Sequence, residues 1–308
     1  MKLKFLQNFI DNIRGKNTAR KIQSLEEEIM NLNYIVHNFC DISEFPKATG
    51  KLRQIQLGYC EFLKLFDFLC RKYDLKYWLD FGTLLGAIRH KGFIPWDDDI
   101  DVGMPRQDYN KVIPLLEKEL NNLGFNINLG ENGCINPIIR IKKEGYYGQI
   151  DIFPYDCYYE EFNSENKEYN KNKLQKAQKI FYKEYSKANR DNNKLNSIRE
   201  SVNENIVLEH KNPIPNAGFY MGIEFFDICQ TNSNILFPLR KVEFEGYEYL
   251  APNKVEEYLK DYFGDYMQWP KKLFMHDNDI VYEKFDSAYE EKILALKSEV
   301  DNYLNSAK

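Results

Sequence analysis

The chain has few cysteines, and their spacing lacks the pattern of a metal or redox site. There are six in 308 residues, and none of them lies in a Cys-x-x-Cys pair. Neither a zinc ribbon nor a redox dithiol is therefore indicated. The cysteines are Cys40, Cys60, Cys70, Cys134, Cys157 and Cys229. We predict that they are reduced structural thiols of a cytoplasmic protein.

Long hydrophobic runs and an excess of positive charge are also absent. The most apolar stretch, YCEFLKLFDFLC, is broken by Glu61, Lys64 and Asp67, whereas a membrane-spanning helix needs about 18 or more apolar residues. The N-terminus lacks the compact apolar segment and cleavage site of a secretory signal. A net charge of −5 gives no overall basic field for nucleic acid. We expect a cytoplasmic protein that does not bind nucleic acid.

An N-terminal extension, residues 1–48, is predicted to be helical. Residues 1–21 combine six basic side chains and one acid with apolar residues at helical spacing. This amphipathic pattern fits either a peripheral contact with anionic lipid at the inner membrane surface or docking on protein. Residues 22–36 form a short heptad seam, which predicts self-association. Pro46 and Gly50, in ISEFPKATG, mark the end of the extension.

The remaining residues, 49–308, alternate helical and strand patterns. Helices are predicted over 51–72, 106–123, 253–263 and 281–305, with a shorter one in GTLLGAIRH. Strands are predicted in KYWLDF, DDDIDVGM, PIIRIKK, GQIDIFP and FPLRKVEFEGYEYLAP. A polar segment rich in Lys, Glu and Asn, about 158–212, carries spaced apolar residues and predicts a helical insertion. The pattern indicates an α+β domain.

Four aspartates crowd into five positions of GFIPWDDDIDVGM: Asp97, Asp98, Asp99 and Asp101. Because alternate residues of a strand share a face, Asp99 and Asp101 are predicted to point away from the core together. Asp151, between two isoleucines in GQIDIFP, repeats the pattern. Three carboxylates on neighbouring strands are predicted to bind Mg²⁺ or Mn²⁺. The alternative is a solvated turn or a helix cap.

Upstream of the aspartates, FGTLLGAIRHKG has the features of a phosphate-binding turn. Gly82 allows close approach of the backbone, and Thr83 begins a helix whose free N–H groups attract anions. Positive charge in the same segment comes from Arg89, His90 and Lys91. These five residues are predicted to bind the substrate phosphates. A simple helix cap is the alternative interpretation.

Two further arginines are candidates for phosphate contact. Arg106 begins the helix that follows the aspartate strand, and Arg140 lies in the strand pattern PIIRIKK. A surface salt bridge is the alternative role for Arg106. We predict that both contact the substrate.

At these residues the chain resembles the LicD family of phosphocholine transferases, in the nucleotidyltransferase superfamily, to which fukutin-type proteins are related. The resemblance covers YWLDFGTLLGAIRHKGFIPWDDDIDVGMPRQDY and IDIFPYD, and more loosely FEGYEYLAPNKVEEYLKDYFGDYMQWP. It implies a nucleotidyltransferase-like mixed sheet flanked by helices. It also implies that Asp99 and Asp101 bind the metal, that Asp151 is the third acid, and that Gly82 and Thr83 contact phosphate.

The function implied by this resemblance is metal-dependent transfer of a phospho-alcohol group. The expected donor is a CDP-activated alcohol, most simply CDP-choline, and the expected acceptor is a hydroxyl of a cell-surface glycan or glycolipid. Asp151 is the candidate for deprotonating that hydroxyl. Three alternatives stay open: a glycosyltransferase using a nucleotide sugar, a nucleotidyltransferase proper, and an inactive nucleotide-binding scaffold.

Overall fold

A computed structural model describes residues 2–129, 139–146, 150–158, 219–221, 231–270 and 289–307, with scattered residues between 172 and 201. The chain divides into two compact units. The first comprises residues 1–45 with 267–272, and the second comprises 46–266 with 273–308. That a short segment after residue 266 joins the N-terminal unit was not predicted from the sequence.

The first unit is built on one long helix, α1 (Lys2–Phe39). The amphipathic and heptad segments are thus a single continuous helix. A short 3-10 turn, Ile42–Glu44, follows, and the Asp41 side chain caps it by accepting from the Ser43 backbone N–H at 2.8 Å. Trp269 packs on Phe45 with ring centroids 5.4 Å apart. The side chains of residues 1–14 lie outside the described part, so the predicted lipid contact stays a prediction.

Helices enclose the core of the second unit. α2 (Gly50–Lys72) matches the helix predicted over 51–72, and its side chains Phe62, Leu63 and Phe66 are fully buried. α3 spans Phe81–His90 and α4 spans Arg106–Leu120. Further along are α5 (Ser233–Leu236), α6 (Val255–Phe263) and α7 (Tyr289–Ser306), which packs on α2. Helices are therefore present at 255–263 and 289–306, and the part of the predicted last helix before residue 289 lies outside the described residues.

A seven-stranded mixed sheet forms the centre of this unit. Its strands are β1 (Trp78–Leu79), β2 (Ile100–Pro105), β3 (Phe125–Leu129), β4 (Ile139–Lys143), β5 (Ile150–Tyr158), β6 (Phe219–Met221) and β7 (Thr231–Asn232). The main order is β1-β2-β5-β4-β3, with β6 on β5 and β7 on β6. Only the β2–β5 pair is parallel among the described strands. The predicted α+β fold, a mixed sheet flanked by helices, is confirmed.

A separate hairpin of β8 (Arg240–Phe244) and β9 (Tyr247–Ala251) completes the described strands. Its turn contains Glu245 and Gly246, both at positive φ. This hairpin corresponds to the strand signal in FPLRKVEFEGYEYLAP.

Three local predictions differ from the structure. The strand predicted over 76–81 is only two residues long, because Phe81 already begins α3. β2 begins at Ile100, so Asp99 precedes the strand and does not share its face through alternation. β3 was not predicted. The predicted insertion, 158–212, lies mostly outside the described residues. Within it, residues 178–184 are described and are helical.

No helix in the described ranges is long and apolar enough to span a membrane.

Candidate active site

The turn into α3 is fixed by Asp80 at its N-cap. The Asp80 carboxylate accepts from the backbone N–H of Phe81 at 2.9 Å, which satisfies a donor that the helix leaves unpaired. Asp80 is completely buried. Its carboxylate also accepts from the hydroxyls of Tyr155, at 2.6 Å, and Tyr258, at 2.7 Å. Burial raises the pKa of Asp80, and the bonds from the two tyrosines oppose that rise.

Two hydrogen bonds to the backbone of Asp101 join this turn to β2. The Thr83 hydroxyl oxygen accepts from the backbone N–H of Asp101 at 2.9 Å, and the Asp80 N–H donates to the Asp101 carbonyl at 3.0 Å. Thr83 is only 2% exposed. Thr83 therefore links the start of α3 to β2 by a hydrogen bond. This role is distinct from the predicted phosphate contact.

The parallel pairing of β2 and β5 brings two of the predicted acids side by side. Asp101 is directly opposite Asp151 in the register. Their neighbours Ile100, Val102 and Ile150 are fully buried on the other face. Since alternate residues of a strand face opposite sides, both carboxylates project to the face where the turn lies. The apolar–acid–apolar pattern thus placed them correctly.

The electrostatics of Asp101 show that the acids act on one another. Burial raises the pKa of Asp101 well above its ordinary value, and the negative charges of Asp99 and Asp151 raise it further. Asp97 contributes in the same sense. A cation among these carboxylates would reverse that repulsion.

Asp97 lies against the turn at Gly82. A Cβ added to Gly82 would lie 2.7 Å from the Asp97 carboxylate oxygen Oδ2. The backbone of Asp97 is held by its N–H to the Ile94 carbonyl, at 2.9 Å, and by Gln56, whose amide donates to the Asp97 carbonyl at 2.9 Å. Gly82 is therefore required for close approach, here of a carboxylate.

The donor set fits a hard divalent cation, because every candidate ligand is a carboxylate oxygen. Asp99, Asp101 and Asp151 are the residues that would hold it. Within the described ranges, no group of three or more His, Cys, Asp or Glu side chains is already arranged around a common metal position. Binding of Mg²⁺ or Mn²⁺ therefore stays a prediction.

Arg89, His90 and Lys91 lie at the other end of α3, about 12 Å along the helix axis from Gly82. Arg89 is buried and donates to the Tyr266 carbonyl at 2.8 Å and to His90 Nε2 at 3.0 Å. Burial lowers its pKa to about 10. Burial and the Arg89 charge lower the pKa of His90 to about 4, so that imidazole is neutral at pH 7. Lys91 is the exposed left-handed C-cap.

For Arg106 and Arg140, the described part of the structure gives no contact with the three candidate metal ligands. Arg106 forms a bidentate ion pair with the buried Asp156, both bonds at 2.8 Å. This pair lies about 16 Å along β2 and β5 from Asp101 and Asp151. The Arg140 backbone is opposite Asp151 in the β4–β5 register, and its side chain lies outside the described part. Their predicted phosphate contacts stay predictions.

The two tyrosines on Asp80 were missed from the sequence. Tyr155 lies four residues after Asp151 on the same strand face, a spacing that was visible in IDIFPYD. Tyr258 comes from α6, over 170 positions away from Asp80. No local pattern connects those two residues.

Comparison with known proteins identifies the fold family. The family model described as "LicD/FKTN/FKRP, nucleotidyltransferase domain" matches residues 74–191. The lipopolysaccharide cholinephosphotransferase LicD of Haemophilus influenzae is 30% identical over 255 residues, covering 71% of this chain and 92% of that protein. The mouse and human ribitol 5-phosphate transferases FKRP are each 31% identical over 86 residues, 26% of this chain and 17% of theirs.

The matched region contains the turn at Gly82, the aspartates before and in β2, and Asp151 of β5. The named relatives are transferases of substituted phosphate groups. The chain belongs to the LicD family and is an enzyme of this transferase class.

Proposed function

We propose that this enzyme transfers phosphocholine from CDP-choline to a hydroxyl of a surface glycan or glycolipid. The observation that carries the proposal is the register of Asp101 opposite Asp151, beside a helix start that Thr83 ties to the same strand. This arrangement supports the proposal because a helix start, whose free N–H groups attract anions, lies next to a pair of carboxylates. Support for choline and for a glycolipid acceptor comes from the name of the Haemophilus relative.

The reaction is a displacement at phosphorus. The acceptor oxygen forms a bond to the phosphorus that bears choline, and the bond from that phosphorus to the bridging oxygen breaks. CMP leaves with the bridging oxygen and its electron pair. The acceptor proton passes to a carboxylate. Asp151 is our candidate, because it lies beside Asp101 on the same face of the sheet and is only 7% exposed.

The residues of the turn position the donor. Backbone N–H groups at the start of α3 attract the diphosphate, and Gly82 adds no side chain of its own there. Asp99, Asp101 and Asp151 would hold Mg²⁺ or Mn²⁺, which in such sites neutralises phosphate charge and orients the displacement. Without that charge, the diphosphate would meet a group of acids that repels it.

Single substitutions test the proposal. We expect Asp99→Asn and Asp101→Asn each to reduce CMP release from CDP-choline about a thousandfold, or ~4 kcal/mol of barrier, because each removes a charged ligand. Calorimetric titration with Mn²⁺ should show weakened binding in both. Asp74→Asn is the matched control, since Asp74 is exposed and at positive φ, where Asn is tolerated.

Normal turnover in both variants would refute the assignment of these two carboxylates. The mass of the product separates the alternatives. An acceptor that gains phosphocholine supports the proposal, whereas one that gains CMP identifies a nucleotidyltransferase and one that gains a sugar identifies a glycosyltransferase.

A further inference from the structure

The carboxylate that caps α3 does not bind the N–H groups that a cap ordinarily binds. An N-cap side chain usually accepts from the second or third N–H of its helix. The Asp80 carboxylate instead accepts from the first, that of Phe81, at 2.9 Å. The second and third N–H groups belong to Gly82 and Thr83, and we call them the turn donors. Among the described residues, neither turn donor has a hydrogen-bond acceptor.

The turn donor of Thr83 is buried as well as unpaired in the described part of the chain. Thr83 is only 2% exposed, and roughly nine in ten or more buried backbone N–H groups are paired in folded proteins. Gly82 beside it is only partly buried, so a ligand can approach the turn from that side. Adjacent backbone donors at a helix start attract anions. These donors are therefore the atoms of the turn best suited to a phosphate.

Two tyrosine hydroxyls hold the Asp80 carboxylate in its position. Tyr155 donates to Oδ2 at 2.6 Å, and Tyr258 donates at 2.7 Å to Oδ1, the oxygen that also accepts from the Phe81 N–H. Asp80 and both tyrosines are buried. A buried carboxylate that loses a donor must find another, because leaving it unsatisfied is costly. The turn donors are within the ordinary reach of an N-cap side chain.

The tyrosines come from elements outside α3. Tyr155 lies on β5, four residues after Asp151 and on the same face of that strand. Tyr258 lies in α6. Their hydroxyl oxygens are 3.4 Å apart. The position of the cap carboxylate is therefore set by tertiary contacts, one of them from the strand that carries Asp151.

We propose that Tyr155 and Tyr258 are positioning residues that keep the Asp80 carboxylate off the turn donors, which leaves those donors to the diphosphate. This proposal rests on the proposed function of the turn. A carboxylate and a phosphate are both acceptors, so they compete for the same N–H groups. The hydroxyls decide that competition by giving the carboxylate other donors. Neither tyrosine needs to touch the substrate.

The test measures binding of pyrophosphate to the full chain by calorimetry with Mg²⁺ present. We expect Tyr155→Phe to weaken this binding about tenfold, because Oδ2 loses the Tyr155 donor and takes a turn donor instead. Tyr258→Phe should weaken it about threefold, since Oδ1 still accepts from the Phe81 N–H. Binding of Mn²⁺ alone should stay within about twofold of the wild-type value in both variants, because the candidate metal ligands are unchanged.

Tyr77→Phe is the matched control. The Tyr77 hydroxyl donates to another buried carboxylate, that of Asp67, at 2.6 Å. Asp67 lies in α2 and not at the turn. Loss of this bond should lower the midpoint of urea unfolding without changing the affinity for pyrophosphate.

A double variant separates positioning from general support of the fold. Adding Asp80→Ala to Tyr155→Phe removes the carboxylate that occupies a turn donor, so pyrophosphate affinity should recover to within about threefold of the wild-type value. A purely structural role of Tyr155 predicts a further loss instead. If circular dichroism shows that the double variant does not fold, the comparison of the single tyrosine variants with Tyr77→Phe decides.

Unchanged pyrophosphate affinity in Tyr155→Phe and Tyr258→Phe would overturn the proposal. An equal loss in Tyr77→Phe, or a further loss in a folded double variant, would do the same. These outcomes differ from those of the proposed function. If Tyr155→Phe transfers phosphocholine at the normal rate, only the positioning role fails. If pyrophosphate binding responds as expected but no acceptor gains phosphocholine, only the proposed reaction fails.

Discussion

The substitution Gly82→Ala, which adds one methyl group, tests the candidate site most directly. An alanine there would place its Cβ 2.7 Å from Asp97 Oδ2. That carboxylate can rotate away, so we expect Gly82→Ala to cost less than about 1 kcal/mol of unfolding free energy. Because the displaced charge lies beside the turn that we propose binds phosphate, kcat/KM should fall about a hundredfold.

Gly15→Ala is the matched control. Gly15 is inside α1, and among the described residues no atom other than those of its chain neighbours and its own helix backbone lies within 4 Å of an added Cβ. Alanine is the better helix former, so this variant should be neutral or more stable by up to about 1 kcal/mol. Steady-state kinetics and urea unfolding on both variants give the comparison. A Gly82→Ala enzyme with unchanged kcat/KM would show that Asp97 does not act at the turn.

Single residues differed in how well the sequence revealed them. Asp101 and Asp151 could be recognised because each is an acid between apolar neighbours, a pattern that few structural roles explain. The hydrogen bond from the Asp101 N–H to the Thr83 hydroxyl could not be predicted, since a threonine at a helix start normally serves as a cap. The Arg106–Asp156 pair was also hidden, because pairing across two strand ends depends on tertiary register.

Among the elements, α1 leaves an apolar seam in solvent. Ile22, Leu25, Ile29 and Leu32 are each about half or more exposed. β-branched residues at the first heptad position and leucine at the fourth favour a parallel two-stranded coiled coil. In that arrangement Lys21 of one copy faces Glu26 of the other. We propose that a second copy of the chain covers this seam.

The expected result is a dimer by light scattering, which Ile29→Asp converts to a monomer because the charge would be buried in the seam. Tyr34→Asp is the matched control. Tyr34 is 64% exposed on the same helix but on its outer side, so this variant should stay dimeric. A monomeric wild-type chain, or equal loss of the dimer in both variants, would contradict the proposal.

Element types were more predictable than their limits. α2 could be predicted almost to the residue, because apolar side chains recur over six turns between Gly50 and Lys72. β2 began three residues later than the aspartate run suggested, since a turn closed by the Asp97 N–H holds that run out of the strand. β3 escaped prediction because Phe125–Leu129 alternates asparagine with apolar residues over only five positions.

Across the second unit, Glu245 joins segments that are far apart in sequence. Its carboxylate accepts from Arg53 at 2.8 and 2.9 Å, from Lys47 at 2.8 Å and from the Phe93 N–H at 3.3 Å. Its own N–H donates to the Lys91 carbonyl at 2.9 Å. Hydrogen bonds thus connect the β8–β9 turn to α2, to the segment that precedes α2 and to the loop after α3.

This fastening predicts a pH dependence of stability. Burial alone would raise the pKa of Glu245, but the bonds from Arg53 and Lys47 outweigh it and lower that pKa to about 2. The ordinary value is 4.5, so the contribution is complete above about pH 4.5 and is lost as the pH falls towards 2. At pH 7 we expect Glu245→Gln to lower the unfolding free energy by about 2 kcal/mol.

Urea unfolding at several pH values measures this difference, which should shrink between pH 4.5 and 2. Glu248→Gln is the matched control in the same hairpin. Glu248 pairs with Lys241 at 2.9 Å, and both side chains are mostly exposed, so its loss should cost under about 0.5 kcal/mol at any pH. A pH-independent difference for Glu245→Gln would mean that the ionised carboxylate is not what stabilises the hairpin.

The parallel pairing of β2 and β5 also bears on the order in which the chain folds. Asp101 and Asp151 are fifty positions apart, and no tight turn can join parallel neighbours. Loops of that length close late, because their entropy is lost before any contact compensates. We therefore expect a refolding chain to acquire its helices first and the pairing of Asp101 with Asp151 near the end, so partly folded copies should be inactive.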